Sequence, residues 1–109
     1  MPKPDSLQGS LDLLVLKILS RRPHLHGYGI MSAIRETSGE VLRADEGSLY
    51  PALHRMEESG WIKAKWTTTD TGRRARIYNL TAAGTKQLFA EEARWTTVIA
   101  AINRVLRTV

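Results

Sequence analysis

Gly47-Ser48-Leu49-Tyr50-Pro51-Ala52-Leu53-His54-Arg55-Met56-Glu57-Glu58-Ser59-Gly60-Trp61-Ile62-Lys63-Ala64-Lys65-Trp66 changes its hydrophobic period part-way along. Leu49, Ala52, Leu53 and Met56 recur at helical spacing, which predicts a helix over 46–59. Asp45 suits its N-cap, Glu46 favours the positive end of the helix dipole, and Gly60 suits the residue just past its end. Pro51 removes a backbone donor, so the spacing places the helix but leaves its first turn open. From Trp61 the period becomes two: Ile62, Ala64 and Trp66 alternate with Lys63, Lys65 and Thr67. After the turn signal Thr69-Asp70-Thr71-Gly72, Ala75, Ile77 and Asn79 alternate with Arg74, Arg76 and Tyr78 as far as Leu80. Two alternating runs around a glycine-containing turn predict a β-hairpin over 61–80.

Upstream, Leu7, Leu11, Leu14, Val15, Ile18 and Leu19 predict a helix over 7–21, with Leu13 and Leu16 adding a second apolar face. A helix apolar nearly all round is buried on both sides, against its own domain and against a second chain. A short polar tail, kept extended by prolines, precedes it over 1–6. Ile30, Ala33, Ile34 and Thr37 predict the inner stripe of a helix over 27–38, closed by Gly39. Downstream, a helix over 82–108 starts at Thr81. In its second half Trp95, Ile99, Ile102 and Leu106 follow the four–three spacing of a coiled-coil seam.

The order is helix, helix, helix, hairpin, long helix. The expected class is mainly α with a small β-hairpin: a winged helix, a helix-turn-helix variant, plus a long C-terminal dimerisation helix. The expected division is a winged-helix DNA-binding domain over 1–80 and a dimerisation helix over 81–109. The chain's 109 residues, 42% of them hydrophobic, suit one modest core. Without cysteine no disulfide framework forms, which fits a reducing compartment. The start of the chain lacks the apolar run of a signal peptide, and no apolar stretch approaches the ~18 residues of a membrane span. A cytoplasmic protein with no membrane partner is expected.

Sixteen Lys and Arg against eleven Asp and Glu give a net charge of +5, which points to a polyanionic partner. Lys63, Lys65, Arg73, Arg74 and Arg76, opposed only by Asp70, put most of that excess on the hairpin. Arg73 and Arg74 lie beside its turn, where a wing tip reaches a DNA backbone or minor groove. The alternative is a charged solvent face or a guarded edge strand. The outer side of the preceding helix offers Ser48, Tyr50, Pro51, His54 and Arg55, the mixture with which recognition helices meet double-stranded DNA. Tyr50 has a second reading, packing onto the helix before it. Trp95 also has two: a dimer-core aromatic, or one wall of a slot for a planar ligand. Trp61 and Trp66 read as hairpin core and edge packing, and Glu57-Glu58 as a solvated face. No metal or other cofactor is expected, because His24-x-His26 is too short and isolated for zinc. Ser48 and His54 fall on different faces of one helix, which argues against a nucleophile–base pair and against an enzyme.

Three blocks carry a resemblance. Leu7-Gln8-Gly9-Ser10-Leu11-Asp12 is followed by His26-Gly27-Tyr28-Gly29-Ile30, then by Gly47 through Ile62, then by Tyr78-Asn79-Leu80-Thr81-Ala82-Ala83-Gly84. In order and spacing the chain resembles the PadR family of transcriptional regulators, and its single long terminal helix is similar to the short-C-terminal members. The resemblance implies a homodimer joined through the last and first helices. It implies repression of promoters, often the regulator's own and those of efflux or detoxification genes, and release by small aromatic or phenolic effectors. It places Tyr28, Ser48, Tyr50, Pro51 and His54 where the family meets DNA, matches Arg74 and Arg76 to its basic wing, and sets Trp95 where an aromatic lines a pore between protomers. Ile77 stands where family wings commonly carry an aromatic, and Ala75 where a basic residue is frequent. Two other readings compete: a winged-helix protein-interaction module, and a ligand-binding protein without specific DNA binding.

Overall fold

The computed structural model describes residues 6–108, so the expected tail lies almost wholly outside the described residues. The elements are α1 (Ser6–Arg21), β1 (Leu25–His26), α2 (Gly27–Thr37), α3 (Glu46–Glu58), β2 (Ile62–Thr68), β3 (Arg74–Leu80) and α4 (Ala82–Leu106). The four expected helices and the hairpin are present within two residues of their expected ends. β1 was not anticipated. It pairs antiparallel with β3, Leu25 opposite Tyr78 and His26 opposite Ile77, and makes a three-stranded sheet of order β1-β3-β2. Two residues are too few for an alternation pattern to register.

α1 is the hub. Leu11, Val15, Leu16, Ile18 and Leu19 are buried in one cluster with Ile30, Ala33 and Ile34 of α2, Leu49, Ala52, Leu53 and Met56 of α3, Ile62, Tyr78 and Leu88. Its apolar faces are therefore largely used within its own chain. Thr37, expected on the inner stripe of α2, is exposed. The helix ends there, with Ser38 as C-cap and Gly39 turned to a left-handed φ of 66°, so its last residue leaves the core.

Three N-caps fix where helices begin. His26 Nδ1 accepts from Gly29 N–H, Asp45 Oδ1 from Ser48 N–H at 2.8 Å, and Thr81 Oγ1 from Gly84 N–H. The Thr81 hydroxyl also donates to Gly60 C=O at 2.6 Å, tying the start of α4 to the end of α3. Gly84 rests against the Trp61 carbonyl so closely that a Cβ there would overlap it. α3 runs through Pro51, whose missing backbone donor falls opposite Gly47 C=O in the exposed first turn.

α4 spans 25 residues, about 37 Å at 1.5 Å per residue. Its first half packs on α1, and Lys17 Nζ bonds Glu92 Oε2 at 3.0 Å. Every described residue from 99 onward is exposed, including Ile99, Ile102, Val105 and Leu106. Among the described residues no helix is long and apolar enough to cross a membrane.

Candidate nucleic-acid interface

In a strand, alternate residues share a face, and cross-strand partners share it too. Trp66 is opposite Arg76 and Ala64 opposite Tyr78, so Trp66, Arg74, Arg76 and Tyr78 lie on one face of the hairpin. With His26, Gly27 and Tyr28 at the start of α2 and with Tyr50 on α3, they line an open cleft of about 670 Å³. Thr69, Thr71 and Arg73 at the turn extend it to the wing tip. Three parts of the chain thus converge on one concave, aromatic and cationic surface.

Each contributor is held by local chemistry. The Arg74 guanidinium lies 4.7 Å from the centre of the Trp66 ring, and Arg76 lies 5.9 Å from it. Trp66 is 57% exposed on the edge strand β2, where its ring is a platform under the two arginines. Arg76 Nη2 also donates to Glu57 Oε2 at 2.7 Å, which fastens the wing to α3. Glu57 is therefore a structural partner and not the solvated group expected. Burial pushes the Tyr78 phenol above the ordinary tyrosine range, Arg76 partly counters this, and Glu57 and Tyr50 add to it. Tyr78 stays a protonated donor at the cleft floor.

Tyr50 takes up the packing reading and keeps part of its ring in solvent. Its ring is 42% exposed, yet it packs on Gly27, where a Cβ would lie 2.7 Å from its Cε1 and Cζ. Glycine at 27 is what lets the ring settle against the start of α2. Tyr28 is 65% exposed and stacks beside His26 at 6.4 Å between ring centres. Pro51 and His54 are exposed on α3, with His54 Nε2 3.7 Å from Glu58 Oε2. Ser48 is half-buried in the first turn.

Two residues expected beside these are placed elsewhere. Arg55 reaches back to α1, where Nη2 bonds Asp12 Oδ1 at 2.9 Å and Nη1 approaches both carboxylate oxygens. Its guanidinium is engaged inside the molecule. Burial raises the Asp12 carboxyl above the ordinary range, Arg55 partly lowers it, and Glu91 raises it further. Lys65 pairs in register with Ile77, on the face of the sheet turned away from the cleft. Trp95, too, departs from a simple seam. It is half-buried in its own chain, with its ring 3.8 Å from where a Cβ of Gly9 would stand and Arg94 stacked on it at 4.9 Å.

The model of the Transcriptional regulator PadR-like family matches residues 15–90, which takes in the cleft and most of the fold. The chain belongs to the PadR-like family. Over 70 residues it is 31% identical to the negative transcriptional regulator PadR of Bacillus subtilis (strain 168), a match covering 64% of this chain and 38% of that protein. A transcriptional regulator from Clostridium thermocellum has the same fold, with a TM-score of 0.81 and 28% identity over 90% of this chain and 94% of that one. A PadR-like transcriptional regulator from Bacillus cereus gives a TM-score of 0.77 and 26% identity over 94% and 97% of the two chains. This PadR-like chain is a winged-helix transcriptional regulator, and DNA-binding regulation is its class of function.

His26 and Gly27 as lining of the cleft, Glu57 as the partner of Arg76, and Asp12 as the partner that draws Arg55 back to α1 were not evident in the sequence of this PadR-like chain. The ion-pair partners lie 43 and 19 residues apart in the chain, and no local spacing signals such pairs. Gly27 carried a signal, since a glycine opening a helix invites the question of what approaches it.

Proposed function

We propose that this PadR-like protein is a homodimeric, sequence-specific repressor that reads double-stranded DNA with α3 in the major groove and the wing on the backbone. The observation that carries the reading is the convergence of Tyr28, Tyr50, Arg74 and Arg76 on one open cleft beside the exposed Pro51 and His54. Arg73, at the wing tip, is exposed with no ion-pair partner among the described residues, so it is available to phosphate. Residues 1–80 form the reading unit and 81–109 the dimerisation helix. The projecting Ile99, Ile102 and Leu106 supply an apolar stripe for a second copy. Each two-fold-related α3 then meets a half-site about one helical turn, roughly 34–36 Å, from the other.

The likeness to the Bacillus subtilis negative regulator supports the repressor role, and release by a small aromatic or phenolic effector is what the family resemblance implies. Trp95, which shares the four–three spacing of that stripe, supports an effector site between the protomers. A protein acting on promoters in this way works in the cytoplasm. Footprinting on a duplex selected from random DNA tests the proposal. Two symmetric protected half-sites about one turn apart are expected, and a single patch, or protection without sequence preference, contradicts it.

A further inference from the structure

The hairpin has a second basic face. Lys63 is opposite Asn79, and Lys65 opposite Ile77, so both lysines stand on the face away from Trp66, Arg74 and Arg76. His24 joins them from the segment before β1. Its backbone N–H donates to Asn79 Oδ1 at 2.9 Å, and its φ of 64° is a left-handed conformation uncommon outside glycine. His24, Lys63, Lys65 and Asn79 line a hollow of about 330 Å³ that contains no acidic side chain. All three basic residues are exposed, and none has an ion-pair partner among the described residues. This differs from the front face, where Arg76 is neutralised by Glu57.

We infer that this back face is a second phosphate-backbone site, which takes the duplex flanking the operator. The inference rests on the DNA-reading function proposed above. The front face turns toward α3 and the back face away from it, so any phosphate the back face takes lies outside the stretch that α3 reads. A phosphate there gains two ammonium groups and the Asn79 amide without displacing an internal partner. The contact is blind to sequence, because ammonium groups on backbone phosphates carry no base information. Its effect is therefore to lengthen the footprint and steepen the salt dependence.

The experiment compares two duplexes containing one operator selected from random DNA. One ends at the operator's edges and the other extends about one turn on each side. Fluorescence anisotropy is read across a salt series with wild type, with Lys63→Gln/Lys65→Gln, and with Arg74→Ala. The wild-type log–log salt slope is expected to be steeper on the long duplex, by about 2 if each protomer adds one phosphate and about 4 if each adds two. The double glutamine variant loses that increment and keeps the wild-type slope on the short duplex, with an unchanged melting temperature. Arg74→Ala weakens both duplexes alike and keeps the increment. Equal wild-type slopes on the two duplexes overturn the back-face site and leave the operator reading intact, as does an equal loss on both in the double variant. Equal competition by scrambled DNA against the wild type overturns the operator reading and the back-face site with it.

Discussion

Replacing Gly27 by alanine tests how the reading helix is set against α2. A Cβ there would overlap the Tyr50 hydroxyl and stand 2.7 Å from Cε1 and Cζ, where carbon atoms prefer about 3.5–4.0 Å. Gly27 does not have a positive φ, so the alanine backbone itself is unstrained. The whole cost falls on the Tyr50 ring, which must move outward by roughly 1 Å to regain ordinary contact. Overpacking of this kind costs about 1–3 kcal/mol. The ring is partly exposed and can yield, which puts Gly27→Ala in the lower half of that range. At about 4–8 °C per kcal/mol for a domain near this size, the melting temperature falls by roughly 4–15 °C. The double variant decides the cause. In a Tyr50→Ala background the obstacle is gone, and Gly27→Ala becomes neutral or stabilising by up to about 1 kcal/mol, because alanine restricts the unfolded chain. A thermal or urea double-mutant cycle then shows a coupling of about 1–3 kcal/mol between the two sites. An equal loss in both backgrounds refutes the packing argument. The same variant, still folded, weakens operator binding if the displaced Tyr50 ring is a DNA contact.

Arg74→Ala removes the cation above Trp66, weakens binding to every DNA sequence and lowers the salt slope by roughly one phosphate; an unchanged slope removes Arg74 from the contacts. Asp12→Asn addresses Arg55. Folding holds the Asp12 proton more tightly than the unfolded chain does, so the contribution of this group to stability falls as pH rises upward from the ordinary aspartate value of about 3.9. Wild type therefore loses stability relative to the asparagine variant over that window in urea titrations, and a relative gain with rising pH contradicts the assignment. At neutral pH the variant costs less than about 1 kcal/mol and frees Arg55. Ile102→Glu places a charge on the exposed stripe of α4 and is expected to give a folded monomer by sedimentation with operator affinity lost; an unchanged dimer moves the interface off that stripe.

The architecture was legible because the strongest signals were local. Leu49, Ala52, Leu53 and Met56 mark one face of α3, and the shift to alternation at Ile62 marks the wing, whatever the rest of the chain does. Capping by Asp45 and Thr81 and the left-handed Gly60 were legible for the same reason. What stayed hidden depends on distant partners. Arg55 looks like a reading residue until Asp12 is seen beside it, and Glu57 looks like a solvated acid until Arg76 arrives from the wing. Lys65 is an intermediate case. Its parity relative to Trp66 already puts it on the opposite face, but only the register with Ile77 shows what that face is made of. Trp95 fits the seam spacing, yet the approach of Gly9 draws it toward α1, which no spacing within α4 could reveal.

The central claim is that the cleft between wing and α3 belongs to a sequence-specific regulator. Its most direct test is fluorescence anisotropy on the selected operator duplex, with scrambled duplex as competitor, at two salt concentrations. Tight binding that resists the competitor at both and weakens steeply with salt is expected. Binding abolished equally by scrambled DNA at both salt concentrations would contradict it.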